Sequence, residues 1–250
     1  MDARSAARVR IEGAGSDRGR LEELRAQAEH WGLFGWVQAQ DDAVLCAHIE
    51  GDPPAIEQWL AGLRAGAGRA AVSGSPARPE GHEQFAIRGV PAGVFVVQEH
   101  QATAHHFDLR LEVDGVMRSW AVPKGPSLDP AVKRFAVEVE DHSLAHNAFE
   151  GLAGRGGVII WDRGEYEQRG RVAWPEALRR GHAVFVLHGQ KLTGGFALQR
   201  TRSGAKPQWL LIKRRDEHAR PGSDVVAELP HSLASGVTLT ALLGGDRAAG

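Results

Sequence analysis

Between His106 and Val113 the chain alternates without a break. His106, Asp108, Arg110 and Glu112 take one side; Phe107, Leu109, Leu111 and Val113 take the other; Asp114-Gly115 follows. A period of two is that of a strand, and Asp-Gly at its end fits a tight hairpin turn. A strand with one wholly apolar side must lay that side on a core, so this part of the chain cannot be a helical bundle. Further short strands are expected at Val94 to Glu99, Val116 to Ala121, Phe135 to Glu140, Gly157 to Trp161, Glu165 to Arg169, Ala183 to Leu187, Phe196 to Arg200 and Trp209 to Lys213. Turn signals at Pro123-Lys-Gly-Pro126, Arg163-Gly164 and Thr193-Gly-Gly195 separate several of them. Many short strands with such turns argue for an all-β antiparallel barrel or sandwich.

The N-terminal part reads differently. Arg8 to Glu12 is a short strand, and Leu21, Leu24, Ala28 and Trp31 recur at helical spacing up to Gly32. Phe34 to Gln38 and Ala43 to Ile49 flank Asp41-Asp42 as a hairpin. Asp52 is placed to cap a second helix, with Pro53 at its first position and Ile56, Trp59, Leu60 and Leu63 as its apolar stripe. This order predicts a small α+β, ferredoxin-like sandwich. The stretch from Ala65 to Gly81 is rich in Gly, Pro, Ser and Ala; a strand is expected over Arg69 to Val72 and a linker over 73–84. The expected organisation is a domain over 1–72, a linker over 73–84 and the β domain over 85–250. Charge divides at the same place: residues 1–84 carry 9 basic and 13 acidic side chains, and residues 85–250 carry 21 and 18. The second part is the better suited to an anionic partner.

One cysteine, Cys46, stands against 12 histidines, so any metal site must draw on imidazole and carboxylate. His100, His105, His106, His142 and His146 cluster in one part of the chain. On a strand, His106 and Asp108 lie about 7 Å apart between Cα atoms and can reach one ion, with His100 as a third ligand from the preceding strand. Arg110, one pleat further, offers a guanidinium fork for phosphate oxygens. A solvated strand face is the ordinary explanation of such a pattern; the density of histidines sets this one apart. Apolar runs such as Val94 to Val97 are far below the roughly 20 residues of a membrane span, and no apolar h-region follows Met1. The expectation is a cytoplasmic protein without a membrane partner.

Two resemblances sharpen these expectations. Trp31-Gly-Leu-Phe-Gly-Trp-Val37, followed by a hairpin and the helix at Trp59-Leu60, resembles an acylphosphatase. That family uses an Arg in a phosphate-cradling loop and an Asn after the Gly-Trp-Val strand; this chain has Leu21 and Ala39 at the aligned positions. The resemblance therefore implies an acylphosphatase-like fold without that activity, unless Arg18 or Arg20 replaces the arginine. Further on, Phe95-Val-Val-Gln-Glu-His100, His106-Phe-Asp-Leu-Arg-Leu-Glu112 and Ser119-Trp-Ala-Val-Pro-Lys-Gly-Pro-Ser-Leu-Asp129 resemble the 3′-phosphoesterase domain of bacterial DNA ligase D. So do Val139-Glu-Asp-His142, Phe149-Glu-Gly151, Trp161-Asp-Arg-Gly164, Leu187-His-Gly-Gln-Lys-Leu192, Trp209-Leu-Leu-Ile-Lys213 and Ser235-Gly-Val-Thr238, over about 94–240.

This resemblance implies a β-barrel whose divalent ion, typically Mn²⁺ with Zn²⁺ or Co²⁺ as alternatives, is held by His100, His106 and Asp108. It implies a phosphate-contacting Arg110, a Lys124 near the phosphate and a His142 on the scissile phosphate. The implied activity removes a 3′-phosphate or 3′-terminal ribonucleotide from DNA or DNA/RNA ends, leaving a 3′-OH for repair. His146 stands where the family usually has a tyrosine, and an imidazole can also bond a phosphate. Leu152 to Gly157 is shorter than the family's segment there. Gly81 to Arg88 does not align with the family's N-terminal arm, although His82, Glu83 or Arg88 could stand in for its charged groups. No Lys-x-Asp-Gly adenylation motif occurs, so a separate DNA ligase or end-joining proteins are the expected partners. The competing expectation is a catalytically weak nucleic-acid-binding or partner-recruiting module that keeps the barrel.

Overall fold

A computed structural model describes residues 4–245 except Ala14, Ala67, Arg69 and Arg155. The chain forms two compact units: Met1–Val90 with Arg169–Ala173, and Pro91–Gln168 with Trp174–Gly250.

The first unit runs β1 (Ser5–Glu12), α1 (Arg18–His30), β2 (Phe34–Ala39), β3 (Val44–Gly51), α2 (Pro53–Gly66), β4 (Ala71–Ala77) and β5 (Phe85–Arg88). Its sheet has the order β4-β1-β3-β2-β5, with only β5 parallel to its neighbour. Asp17 starts α1 by accepting the Arg20 N–H at 3.1 Å. Leu21, Leu24 and Ala28 of α1 and Ile56, Trp59 and Leu63 of α2 are buried against Val9, Ile11, Val37, Leu45, Ala47 and Ile49 of the sheet. At Gly35, φ is +131° and a Cβ would stand 1.9 Å from the His48 carbonyl oxygen, so only glycine fits there.

The linker expected over 73–84 is corrected. Ala71–Ala77 is edge strand β4, paired with β1 from Ala6↔Ala77 to Glu12↔Ala71, and Phe85–Arg88 adds β5 beside β2. The division between the units falls at Val90/Pro91 and not at residue 72. An edge strand that is mostly exposed needs no large apolar residues, so its Ala/Ser/Gly composition looked like a linker. Arg69, where a strand to Val72 was expected to begin, lies outside the described residues.

The second unit runs β6 (Gly93–Gln101), β7 (His105–Val113), β8 (Val116–Val122), β9 (Lys133–His142), a 3-10 turn (Leu144–Ala148), β10 (Gly151–Ala153), β11 (Gly156–Gln168), α3 (Glu176–Arg180), β12 (His182–Gly189), β13 (Thr193–Arg202), β14 (Gln208–Lys213), α4 (Val225–Glu228) and α5 (Leu239–Gly245). The strand order is β10-β11-β12-β13-β14-β9-β8-β7-β6, and β6 pairs back onto β11. Eight antiparallel strands thus close an all-β barrel, as the turn pattern predicts. Asp114 and Gly115 both have positive φ, 52° and 78°, as the tight β7–β8 turn requires.

The two strands expected on either side of Arg163-Gly164 are one. β11 continues through them with a bulge between Ile160 and Asp162, pairing β6 on one side and β12 on the other. Gly164 is not a turn residue; a Cβ there would stand 2.1 Å from the His188 carbonyl oxygen. The barrel core holds Trp120, Trp161, Trp209, Phe107, Phe185 and Phe196, all fully buried. Phe107 meets Trp161 edge-on at 5.6 Å, and Trp120 meets Trp209 at 6.0 Å. No helix among the described residues is long and apolar enough to cross a membrane.

Candidate active site

The polar side of β7 is not a solvated face. Gln98 on β6, Asp108 and Arg110 on β7, and Ser119 on β8 are all buried, joined by a register that sets Gln98 opposite Asp108 and Arg110 opposite Ser119. Arg110 donates through Nε to Gln98 Oε1 at 3.0 Å, through Nη1 to Ser119 Oγ at 3.3 Å, and through Nη2 to Asp108 Oδ2 at 3.0 Å. The Gln98 amide in turn donates to the carbonyl oxygens of His146 (3.0 Å) and Phe149 (2.9 Å), which draws the 3-10 turn down over this face. Buried polar groups need partners, and here each strand supplies the next one's.

At the end of this network His100 and His106 stand directly opposite one another, their ring centroids 4.9 Å apart. His106 Nε2 lies 3.4 Å from Asp108 Oδ1, and His100 Nδ1 lies 3.8 Å from Asp108 Oδ2. One ligand atom from each of the three falls within 4.8 Å of the others. His106 Nδ1 faces the Ala104 carbonyl oxygen at 3.0 Å, so that nitrogen donates and Nε2 is left to face the carboxylate. Two imidazoles and a carboxylate so arranged fit a divalent metal ion and leave coordination positions open.

The local electrostatics follow from the same contacts. The hydrogen bond to Asp108 pushes His106 above the ordinary imidazole value against its burial. His100 is pushed down by burial and by the neighbouring His106. Burial pushes Asp108 upward most strongly, but the His106 bond and the Arg110 charge together hold it below the usual carboxylate range.

His142 ends β9 with Nδ1 3.3 Å from Ser119 Oγ, and its ring meets that of His146 at 5.3 Å. Burial, and then the Arg110 charge, push His142 below its ordinary value. Ser143 Oγ lies 3.1 Å from His146 Nδ1. Six of the seven residues expected at the site therefore join one connected network: His100, His106, Asp108, Arg110, His142 and His146. Lys124 is exposed in the turn after β8, where no hydrogen bond or ion pair ties it to the others among the described residues. His105, on the opposite side of β7, meets Glu99 at 2.8 Å.

Gln98 and Ser119 were missed by sequence reasoning. Each is a polar residue in an apolar strand, Phe95-Val-Val-Gln98 and Ser119-Trp-Ala-Val122. Only the pairing register shows that both face Arg110.

In the first unit the acylphosphatase-aligned positions hold apolar groups. Leu21 is in the core and Ala39 packs against it. Arg20 is paired with Glu23 at 2.6 Å, and Arg18 lies 4.0 Å from Glu22.

Comparison with known proteins bears on the second unit. Residues 98–200 match the DNA Ligase D 3′-phosphoesterase domain. Of the motifs that carried the resemblance, those from His106 to Leu192 fall inside that match, and Trp209-Leu-Leu-Ile-Lys213 and Ser235-Gly-Val-Thr238 lie beyond it. Similar proteins include the multifunctional non-homologous end joining protein LigD of Pseudomonas aeruginosa, 48% identical over 159 residues, and that of Mycolicibacterium smegmatis, 42% identical over 139 residues. The alignments cover 58% and 51% of this chain, and 18% of each relative, so the chain spans less than a fifth of their length. Similar solved structures include acylphosphatases from Coxiella burnetii and Bacillus subtilis, 23% and 24% identical. They cover 34% and 33% of this chain and 93% and 97% of their own, each with a TM-score of 0.31.

Proposed function

We propose that the chain is a metal-dependent 3′-end-processing phosphoesterase of DNA repair, removing a 3′-phosphate or a 3′-terminal ribonucleotide to leave a 3′-OH. The observation that carries this reading is the network from His100 through Asp108 and Arg110 to His142, set in a barrel that matches a DNA ligase D 3′-phosphoesterase domain. His100, His106 and Asp108 would hold the ion, with Mn²⁺ favoured and Zn²⁺ or Co²⁺ as alternatives. When bound, a divalent ion at this place withdraws charge from a phosphoryl oxygen.

The chain's own residues do the rest. Ala104 fixes the His106 ring, and Asp108 and Gln98 fix the guanidinium of Arg110. Three of its five N–H groups are spent inside the protein, which leaves two for phosphoryl oxygens. Held rigid and largely out of water, they need no reorganisation as charge builds in the transition state. His142, anchored at Nδ1 by Ser119, keeps its other ring nitrogen for a proton exchanged with the phosphate or leaving oxygen. His146, beside it, is a second imidazole available to the phosphate. Lys124 contributes long-range attraction to the nucleic acid. A separate DNA ligase or end-joining proteins would use the 3′-OH.

The test is a primer with a 3′-phosphate or a 3′-terminal ribonucleotide, incubated with and without Mn²⁺. Metal-dependent release is expected, with loss of at least about 10²-fold in His106→Ala and Asp108→Ala. No release by the wild-type chain with any divalent metal overturns the enzyme reading. Retained binding to the same primer in that case would favour a nucleic-acid-binding module.

A further inference from the structure

A second histidine–carboxylate cluster lies in the first unit, outside everything described for the barrel. His48 and Glu50 are on β3, and Glu80 and His82 are on the segment between β4 and β5. His48, Glu50 and His82 are fully buried. One ring nitrogen of His48, one of His82 and one carboxylate oxygen of Glu80 fall within 4.8 Å of one another, as do those of His100, His106 and Asp108.

Glu50 explains part of this cluster. Its oxygens accept the backbone N–H groups of Glu80 (2.6 Å), Gly81 (3.0 Å) and His82 (3.2 Å), and Oε1 faces His48 Nε2 at 2.8 Å. Glu50 thus pins the 80–82 segment to β3 and places the proton of His48 on Nε2. The Nδ1 of His48 is then a bare lone pair, buried and without a hydrogen-bond partner. His82 Nδ1 is buried and unpartnered too. Its Nε2 stands 3.2 Å from Glu80 Oε2, close to the 3.4 Å that separates His106 from Asp108.

The bare lone pair of His48 Nδ1 in this buried cluster calls for an electron-pair acceptor. No side chain among the described residues supplies one. A carboxylate holding the far nitrogen of a buried histidine is also the usual outer arrangement of a metal-ligating imidazole. The side chain of Glu80 is 35% exposed, so the cluster has a way in for an ion.

We propose that the first unit carries its own divalent transition-metal site, formed by His48, His82 and Glu80 with Glu50 behind His48, and that its occupant is Zn²⁺. Imidazole nitrogen with one carboxylate suits zinc better than magnesium or calcium. The ion ties the 80–82 segment to β3 and is separate from the barrel's catalytic ion. No bond in any substrate is broken here; the site clamps the fold.

The test uses the full chain, freed of any affinity tag and stripped of metal. Zn²⁺ retained after dialysis is measured by mass spectrometry. Two equivalents are expected for the wild type and one for a His106→Ala, Asp108→Ala double variant. Adding His82→Gln to that variant removes the last equivalent. Co²⁺ bound to the double variant should show ligand-field absorption that vanishes with His82→Gln. Glu80→Gln, at a partly exposed position, serves as a second variant should His82→Gln fail to fold by circular dichroism. A folded double variant that retains no zinc overturns the proposal. So does uptake that neither His82→Gln nor Glu80→Gln reduces.

Discussion

Arg110 is tied to three neighbours before any ligand arrives, and its replacement shows why a lysine is not equivalent there. An ammonium has one nitrogen and cannot bridge Gln98, Ser119 and Asp108 while presenting a flat pair of donors. Arg110→Lys is expected to lower turnover on a 3′-phosphate primer about 10²–10³-fold, the usual effect of removing a preorganised oxyanion donor. Turnover within threefold of wild type would show that the guanidinium is not used. Gln98→Leu keeps the side chain's bulk but removes the bonds to Arg110 and to the carbonyls of His146 and Phe149. Leaving those buried groups unpaired should cost about 1–3 kcal/mol, read as a lowered midpoint in denaturant, together with lower activity. At this scale the sequence was informative where a pattern repeats. His106, Asp108 and Arg110 lie on one strand face at a period of two, and the cluster with His100 follows from pairing. Gln98 and Ser119 were not legible, because their role depends on which residue lies across the strand and not on neighbours in the chain.

Elements were legible where residues alternate and illegible where glycine or small residues serve a backbone purpose. β4 and β11 are the two examples. In β4, small residues suit an exposed edge. In β11, Gly164 lets the strand pass within reach of the His188 carbonyl while pairing with both β6 and β12. Gly164→Ala is therefore expected to destabilise the barrel by several kcal/mol or prevent its folding, seen as loss of soluble protein or a large fall in Tm. An alanine variant of unchanged Tm would mean that the backbones separate easily. The β13–β14 region has an ionic counterpart. Lys213, fully buried, donates to Asp216 at 2.5 and 2.7 Å and to the carbonyls of Gly195 and Arg214. Asp216→Asn leaves that ammonium without its counter-charge and is expected to cost about 3–5 kcal/mol. Burial works upward on Asp216, but the bonds from Lys213 and the Gly195 N–H outweigh it and hold the carboxyl below its usual range. A depressed carboxylate stabilises the fold above its unfolded pKa, and that contribution is lost as pH falls through the folded value. Between pH 5 and pH 3 the wild type should therefore lose more stability than Asp216→Asn; parallel curves would contradict this.

At the scale of the whole molecule, two separate cores predict two unfolding transitions. Leu24 is fully buried in the first unit, and Leu24→Ala is expected to lower one calorimetric transition by about 2–5 kcal/mol and spare the other. Asp216→Asn should do the reverse, and a single transition shifted by both would show that the cores melt together. That the chain changes character part-way was legible in its composition and charge. The position of the change was not, since β4 is built of small, mostly exposed residues and β5 is only four residues long. Nor could any reading along the chain have found that Arg169–Ala173 belongs with the first unit. Within that unit the Arg171 carbonyl accepts the Glu83 N–H at 2.9 Å, and the Gly170 carbonyl accepts from Gln84 at 3.1 Å. This has a practical meaning for anyone who wishes to recombine the two folds. A graft that takes Met1–Val90 alone carries a sheet whose Glu83 and Gln84 have lost their acceptors, and a barrel cut at Pro91 keeps five residues shaped for a neighbour it no longer has. The transferable module is written in the gene as two separated pieces, and a chimera has to move both.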